Sequence, residues 1–196
     1  MKHDMIKTAA VVALTFLVAC QSSSPPPEED TADLPVRVEN AQLKLALVDV
    51  PDVFDVESNS GAELRLVRTG EEIEGSLWIE VSDETESGIN MVDLVNGQRD
   101  LYQARLGGSF SGSRELMMAD GRPGYYSRGR FLDGELEVEE FRIFSIHPLE
   151  NRLLTIFYRY PAGADSADRL NDVLLVAGEV EGFDPEKAAS GAGGGP

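Results

Sequence analysis

The residues with the strongest chemistry in this 196-residue chain are one cysteine, one histidine far from the N-terminus and a run of alternating glutamates. Cys20 follows Leu17-Val18-Ala19, so Leu stands three positions before it and small Ala19 directly before it. It closes an apolar run from Ala9, interrupted only by Thr15 and preceded by Lys2 and Lys7. Positive, apolar and small residues in that order make an export signal. The run is too short for a spanning helix, which needs about 20 apolar residues. Cys20 offers the one thiol of the chain for covalent modification.

His147 precedes Pro148, a turn signal. A Ser-His-Asp system would have to use it, because His3 leaves with the signal. No Gly-x-Ser-x-Gly elbow supports that role. Gly108-Ser-Phe-Ser-Gly112 has its serines at the wrong offsets, and it lacks the Lys-Ser/Thr that completes a P-loop. His147 therefore reads as a turn residue and Gly108–Gly112 as a flexible connection. Glu135, Glu137 and Glu139 share one strand face at two-residue spacing and are the metal candidates, for a hard cation such as calcium. Arg128 and Arg130 oppose two of them, so an ion-paired face is the plainer reading. Trp78 shares a face with Glu80, opposite Leu77, Ile79 and Val81. It is core if both sheet faces are covered and a contact residue if one is open. We expect no catalytic residue, no cofactor and no bound metal.

Composition narrows the partners. The chain has 17 basic and 35 acidic residues, a net charge of −18. Without residues 1–19, which hold Lys2, Lys7 and Asp4, 15 basic and 34 acidic residues leave −19. Nucleic acid is excluded as a partner, since phosphate binding needs clustered Lys and Arg. Anionic headgroups are repelled as well, so membrane attachment must come from acyl chains on Cys20. With Cys20 as the sole cysteine, the mature chain has no internal disulfide, no Cys-ligated zinc and no thiol nucleophile. The segment Leu17–Cys20 resembles the lipobox of bacterial lipoproteins. That resemblance implies a lipid-anchored protein of the cell envelope. Gln21 is not the aspartate associated with inner-membrane retention, which favours the periplasmic side of the outer membrane where a cell has one.

The elements that must position these residues follow from periodicity. Residues 1–19 read as the signal peptide. Residues 20–33 read as lipidated Cys20 and a Ser/Pro/acidic tether, extended by its prolines. Residues 34–184 read as one α+β domain, large enough to bury a core without bridges. Residues 185–196, rich in Gly and Ala, read as a disordered tail. Alternation marks a strand at Leu43–Leu47 and a hairpin of Leu64–Thr69 with Leu77–Ser82 around Gly70–Gly75. A helix follows, with Met91, Leu94, Val95, Gln98, Leu101 and Tyr102 on one face, Asn90 as cap and Gly107-Gly108 beyond its end. Strands Glu115–Ala119, Tyr125–Leu132, Glu135–Ile146 and Arg152–Tyr160 come next, the last apolar on both faces and so expected to be central and covered. A closing helix runs from Ser166 to Ala177, with Leu170, Val173, Leu174 and Ala177 inward, Asp165 as cap and Gly178 at its end.

Asp133-Gly134 reads as a two-residue hairpin turn, pairing Leu132 with Glu135, Arg130 with Glu137 and Arg128 with Glu139. That register puts Phe141 and Ile143 on the charged face unless a bulge at Glu139-Glu140 adds one residue. We therefore expect a bulge there.

The order of elements, an antiparallel sheet flanked by two helices, resembles the PsbP-like α/β/α sandwich. The similarity is local at Leu153-Leu-Thr-Ile-Phe-Tyr-Arg-Tyr-Pro161, Asp165-Ser-Ala-Asp-Arg-Leu170 and Val173-Leu-Leu. It implies a small exported binding or assembly factor, often lipid-anchored in bacteria, without a shared catalytic site. The expected function is a non-enzymatic binding or assembly module with an envelope protein partner. The alternatives are an envelope hydrolase using paired carboxylates and a small-ligand carrier with a cavity between sheet and helix.

Overall fold

The computed structural model describes residues 35–70, 75–83, 90–163 and 166–191. Cys20, the signal peptide, the tether, the loop tip at 71–74, Asp165 and residues 192–196 lie outside them. The elements are β1 Val38–Asn40, β2 Leu45–Leu47, β3 Phe54–Ser60, β4 Glu63–Arg68, β5 Ser76–Val81, α1 Met91–Gln103 and β6 Ser109–Met117. After them come β7 Pro123–Asp133, β8 Leu136–Ile146, β9 Leu153–Pro161, α2 Ser166–Glu179, β10 Val180–Gly182 and α3 Pro185–Gly191. No helix among the described residues is long and apolar enough to cross a membrane.

The expected α+β class with an antiparallel sheet is what the chain adopts. Seven strands form the large sheet in the order β3-β4-β5-β9-β8-β7-β6, every neighbouring pair antiparallel. A small sheet, β1-β2-β10, joins the start of the domain to its end. Each β5 residue alternates as its sequence dictates: Leu77, Ile79 and Val81 are buried, while Trp78 and Glu80 face outward. On the buried side, Leu66, Leu77, Ile79, Phe141, Ile143, Ile156 and Tyr158 pack with Leu45 and Leu47 of β2 and with Val173, Val176 and Ala177 of α2. Burying such side chains stabilises by about 1.5–3 kcal/mol each before entropy is counted.

α1 forms where its apolar spacing requires. Asn90 caps it, its side-chain oxygen accepting from Val92 N and Asp93 N. The helix buries Val95, Gln98 and Tyr102 mainly against β6 and β7. Tyr102 packs there with Phe131 and Val138, and its ring lies against Gly129, where any Cβ would sit 2.5 Å from ring carbons.

Four expectations are corrected. First, β7 and β8 pair without interruption from Gly124↔Ser145 to Asp133↔Leu136, so there is no bulge at Glu139-Glu140. The two-residue turn is Gly134-Glu135, with Gly134 in the left-handed region at φ 66°, and the register is Arg130↔Glu139 and Arg128↔Phe141. The bulge was needed only if glutamates must face water; here both sheet faces accept them. The bulges instead fall in β3, between Val56 and Ser58, and in β6, between Phe110 and Gly112. Second, α2 turns Val176 inward and leaves Leu174 exposed. Its buried edge carries Asp172, which binds Arg68 at 2.9 Å and lies 3.6 Å from Arg169, and this rotates the helix. Third, the tail begins with a helix. The Asp184 carboxylate accepts from Glu186 N and Lys187 N, and Pro185 occupies a first-turn position where no N–H is missed. Fourth, β9 is central but covered on one face. Leu154, Ile156 and Tyr158 are buried, whereas Leu153 and Phe157 are half-buried.

Candidate binding site on the open sheet face

α1 lies mainly on β6 and β7 and reaches β8 through Tyr102, which leaves the same sheet face over β4 and β5 and over Phe157 of β9 without a closely packed helix among the described residues. Strand register lays a row of side chains across it. Arg65 is opposite Trp78, Trp78 opposite Phe157, and Phe157 opposite Arg142. The Trp78 and Phe157 rings stack with centroids 4.9 Å apart and planes 14° from parallel. Arg65 covers the Trp78 ring at 5.0 Å, and Arg142 covers Phe157 at 5.3 Å. Guanidinium–aromatic contacts of this kind contribute about 0.5–1 kcal/mol at exposed sites. Four strands thus hold a guanidinium, two rings and a guanidinium in one stack.

Beside the stack, Glu140 anchors the charges. It is fully buried and accepts from Tyr102 Oη at 3.0 Å, Arg142 Nε at 2.5 Å and Arg159 Nη2 at 2.9 Å, with Arg105 at 3.8 Å. Burial alone would raise its pKa, but Arg142 and Arg159 outweigh it and hold the carboxyl below its usual range. Burial first, then the Glu140 charge, pushes the Tyr102 phenol up, so Tyr102 stays a donor. Fixed by Glu140, Arg159 extends over Trp78 at 5.6 Å and over Phe131 at 5.1 Å. Its Nη1 reaches Asp133 at 3.0 Å. A groove of about 350 Å³ opens here, lined by Ser76, Trp78, Asp133, Leu136, Arg159 and Pro161.

The other sequence candidates go elsewhere. Glu139, one residue from Glu140, points to the opposite face, where it is fully buried and paired with Arg128 and with Arg130 at 3.4 Å. Tyr160 lies opposite it across β8–β9, its phenol pushed up by burial and by the Glu139 charge. Glu135 sits in the turn and Glu137 is exposed, so the three glutamates do not converge. No group of three His, Cys, Asp or Glu residues among the described residues could hold a metal ion. His147 is buried, with Nε2 2.9 Å from the Leu43 carbonyl and Nδ1 accepting from Leu149 N and Glu150 N at 3.1 Å. These bonds require the neutral ring with its proton on Nε2, and burial lowers its pKa. Both nitrogens are committed to joining the β1–β2 turn to the β8–β9 turn, so the ring has no nitrogen left for a substrate.

A second groove, about 330 Å³, lies between Lys44, Glu150 and Asp184–Lys187. Its carboxyls Glu150 and Asp184 are both held low, the first by the Lys44 hydrogen bond and the second by the Lys187 backbone. A glycosidase-like pair needs one acid raised. Glu80 is raised, by burial against the opposing pull of Arg142, yet it lies on the open face rather than in this groove.

Of these features, Trp78 was visible in the sequence from its face-sharing with Glu80. Phe157, Arg142, Arg159 and Glu140 were not, because only the strand order brings β9 and β8 beside β5.

No protein-family model matches the chain, and no curated protein matches it in sequence. Solved structures do. Ran-binding protein Mog1p of Saccharomyces cerevisiae is similar with a TM-score of 0.51 at 12% identity, covering 78% of this chain and 97% of that one. LpqN of Mycobacterium tuberculosis, described as involved in cell envelope biogenesis, is similar with a TM-score of 0.50 at 12% identity, covering 76% and 86%. At this identity the likeness shows a shared α+β fold over about three quarters of the chain.

Proposed function

We propose that the chain is a lipid-anchored envelope protein whose PsbP-like α+β domain acts as a non-enzymatic binding or assembly module. In this reading residues 1–19 are a signal peptide, Cys20 carries the acyl chains, and residues 20–33 tether the domain to the membrane. The domain's α1 and α2 then flank the sheet as the two outer layers of the sandwich. The observation that carries the binding role is the open sheet face, where the Trp78–Phe157 stack is held between guanidiniums beside a groove. Trp78, the one tryptophan of the chain, is half-buried on this face and is of the residue type enriched where contacts carry most binding energy. A fold shared with a Ran-binding protein supports a binding role, and a fold shared with an envelope-biogenesis protein supports the location. The commitment of His147 to backbone bonds argues against catalysis.

The test is photocrosslinking in intact cells from a probe placed at position 78, with position 188 on α3 as control. A discrete adduct from 78 and none from 188 is expected. No adduct from 78 at native abundance overturns the binding role.

A further inference from the structure

Three segments far apart in sequence meet at His147, and its ring joins them. From the β8–β9 turn, Nε2 donates to the Leu43 carbonyl of the β1–β2 turn at 2.9 Å. Nδ1 accepts from Leu149 N and Glu150 N, both at 3.1 Å. Those two bonds shape the turn that carries Leu149. The Leu149 side chain sits on Gly182, the last residue of β10, where a Cβ would lie 2.5 Å from Leu149 Cγ. One residue on, Phe183 N donates to the Lys44 carbonyl at 2.9 Å. Lys44 in turn reaches Glu150 at 2.6 Å. At φ 52°, Lys44 is the one non-glycine residue in the left-handed region among the described residues, so its backbone relaxes once those contacts go. The start of α3 faces this turn across the groove of about 330 Å³.

The chemistry of Nδ1 makes the joint sensitive to protons. A neutral imidazole has one acceptor nitrogen and an imidazolium has none. A protonated Nδ1 turns its N–H on the N–H groups of Leu149 and Glu150, and both bonds are lost together. The surrounding charges do not hold the ring in place once it is charged. In its own turn Glu150 attracts it, but that carboxylate is shared by Lys44 and by Arg152 at 3.1 Å. Arg152 and, from the β6–β7 connection, Arg122 repel it; Arg122 is itself paired with Asp120. From the β10–α3 side come Asp184, Glu186 and Lys187, with Asp184 3.5 Å from Lys187. Glu150 and Asp184 are held below the usual carboxyl range, the first by the Lys44 hydrogen bond and the second by the Lys187 backbone, so both stay ionised while a histidine titrates. We infer that His147 is the pin of an acid-released latch: protonation at Nδ1 frees the 147–151 turn, lifts Leu149 from Gly182 and lets Gly182–Gly191 swing off the β1–β2 turn. Val180, buried in the main core, anchors the moving end, and β10 pairs with β2 alone, so the seven-stranded sheet stays folded. The latch depends neither on lipidation nor on Trp78 as a contact.

The experiment is hydrogen exchange of the purified full chain, read amide by amide by NMR and corrected for the chemical exchange rate, from about pH 7.5 to about pH 5. Below about pH 6.5, protection at Leu149, Glu150 and Phe183 should fall by up to about tenfold per pH unit, the slope of one linked proton. Amides of β5 and α1 should keep theirs. His147→Asn puts an oxygen in place of Nδ1, an Asx-turn acceptor that takes no proton in this range, and the acid loss should vanish. Leu149→Ala removes the clamp and leaves the ring, so protection at Phe183 should fall at every pH. Protection that holds throughout the series overturns the latch, as does loss shared equally by β5 and α1. Loss at residues 149 and 150 with Phe183 unmoved also overturns it, and so does an acid loss that persists in His147→Asn. If His147→Asn fails to fold, the wild-type comparison of Phe183 with β5, and Leu149→Ala, still decide.

Discussion

At the scale of single residues, two buried titratable groups set the limits of the domain. Glu140 holds three guanidiniums and a phenol from α1, the α1–β6 connection, β8 and β9. Removing its charge takes the carboxylate from the largely buried Arg142 and leaves Arg159 with Asp133 alone. Glu140→Gln is expected to destabilise by about 3 kcal/mol or more, read by urea denaturation, and to loosen Arg159 over Trp78. A loss under about 0.5 kcal/mol would mean that water or Asp133 replaces the carboxylate. His147 works in the same sense with pH, its stabilisation being lost as pH falls. Its folded pKa is lowered from 6.5 by burial, so the unfolded chain binds the proton more readily. Stability from this site is full above about pH 6.5 and is lost as pH falls below that value towards the folded pKa. Wild type should lose melting temperature as pH falls below about 6.5, and His147→Gln should lose this part of the slope. Equal slopes in the two proteins would show that other groups carry the pH dependence. The pairing of Arg128 with Glu139 was legible from alternation along the hairpin. Glu140 escaped that reading, because alternation assigns a charge on the apolar phase to water and cannot see Arg142 and Arg159 on the other face.

At the scale of elements, what is local was legible and what is paired was not. The helix α1 follows from Asn90, its apolar spacing and Gly107, all within one segment. The β7–β8 hairpin was visible as an element, but its turn was placed one residue early. Asp-Gly favours a two-residue turn centred on itself, whereas the chain turns on Gly134-Glu135, so each β7 residue meets a partner two positions further along β8 and keeps its face. The register that forms puts Phe141 and Ile143 in the main core and Val138 under α1, a gain no bulged alternative offers. The half-open face follows from the strand order β4-β5-β9-β8, whose middle contact joins residues about eighty positions apart. That is why Trp78 could be named from sequence while Phe157 could not. The docking of α1 can be tested at Gly129, where a Cβ would meet the Tyr102 ring at 2.5 Å. Gly129→Ala should destabilise by about 1–3 kcal/mol through overpacking. It should also increase hydrogen exchange in α1 more than in α2. Uniform exchange across both helices would mean that α1 is not a separately docked layer.

At the scale of the whole molecule, charge and attachment have to be reconciled. A domain carrying most of a −18 charge gains nothing from an anionic membrane surface, and its described helices cannot span one. If it works at a membrane, covalent lipid must hold it there, and a single acyl chain gives only marginal binding. Under the proposed modification, diacylglycerol on Cys20 supplies two chains, enough for a lasting anchor against this repulsion. The prediction separates the anchor from the fold. Cys20→Ser should abolish palmitate incorporation and move the chain from the membrane to the soluble fraction. The melting temperature of the domain should stay the same, because the core contacts described all lie after residue 34. Lowering the salt concentration should not restore binding of the unlipidated chain to anionic vesicles, since the force at issue is repulsive. Retained palmitate in Cys20→Ser would place the modification elsewhere. Membrane retention without palmitate, strengthened at low salt, would require a basic contact surface that the arginines, most of them already paired with carboxylates, do not provide.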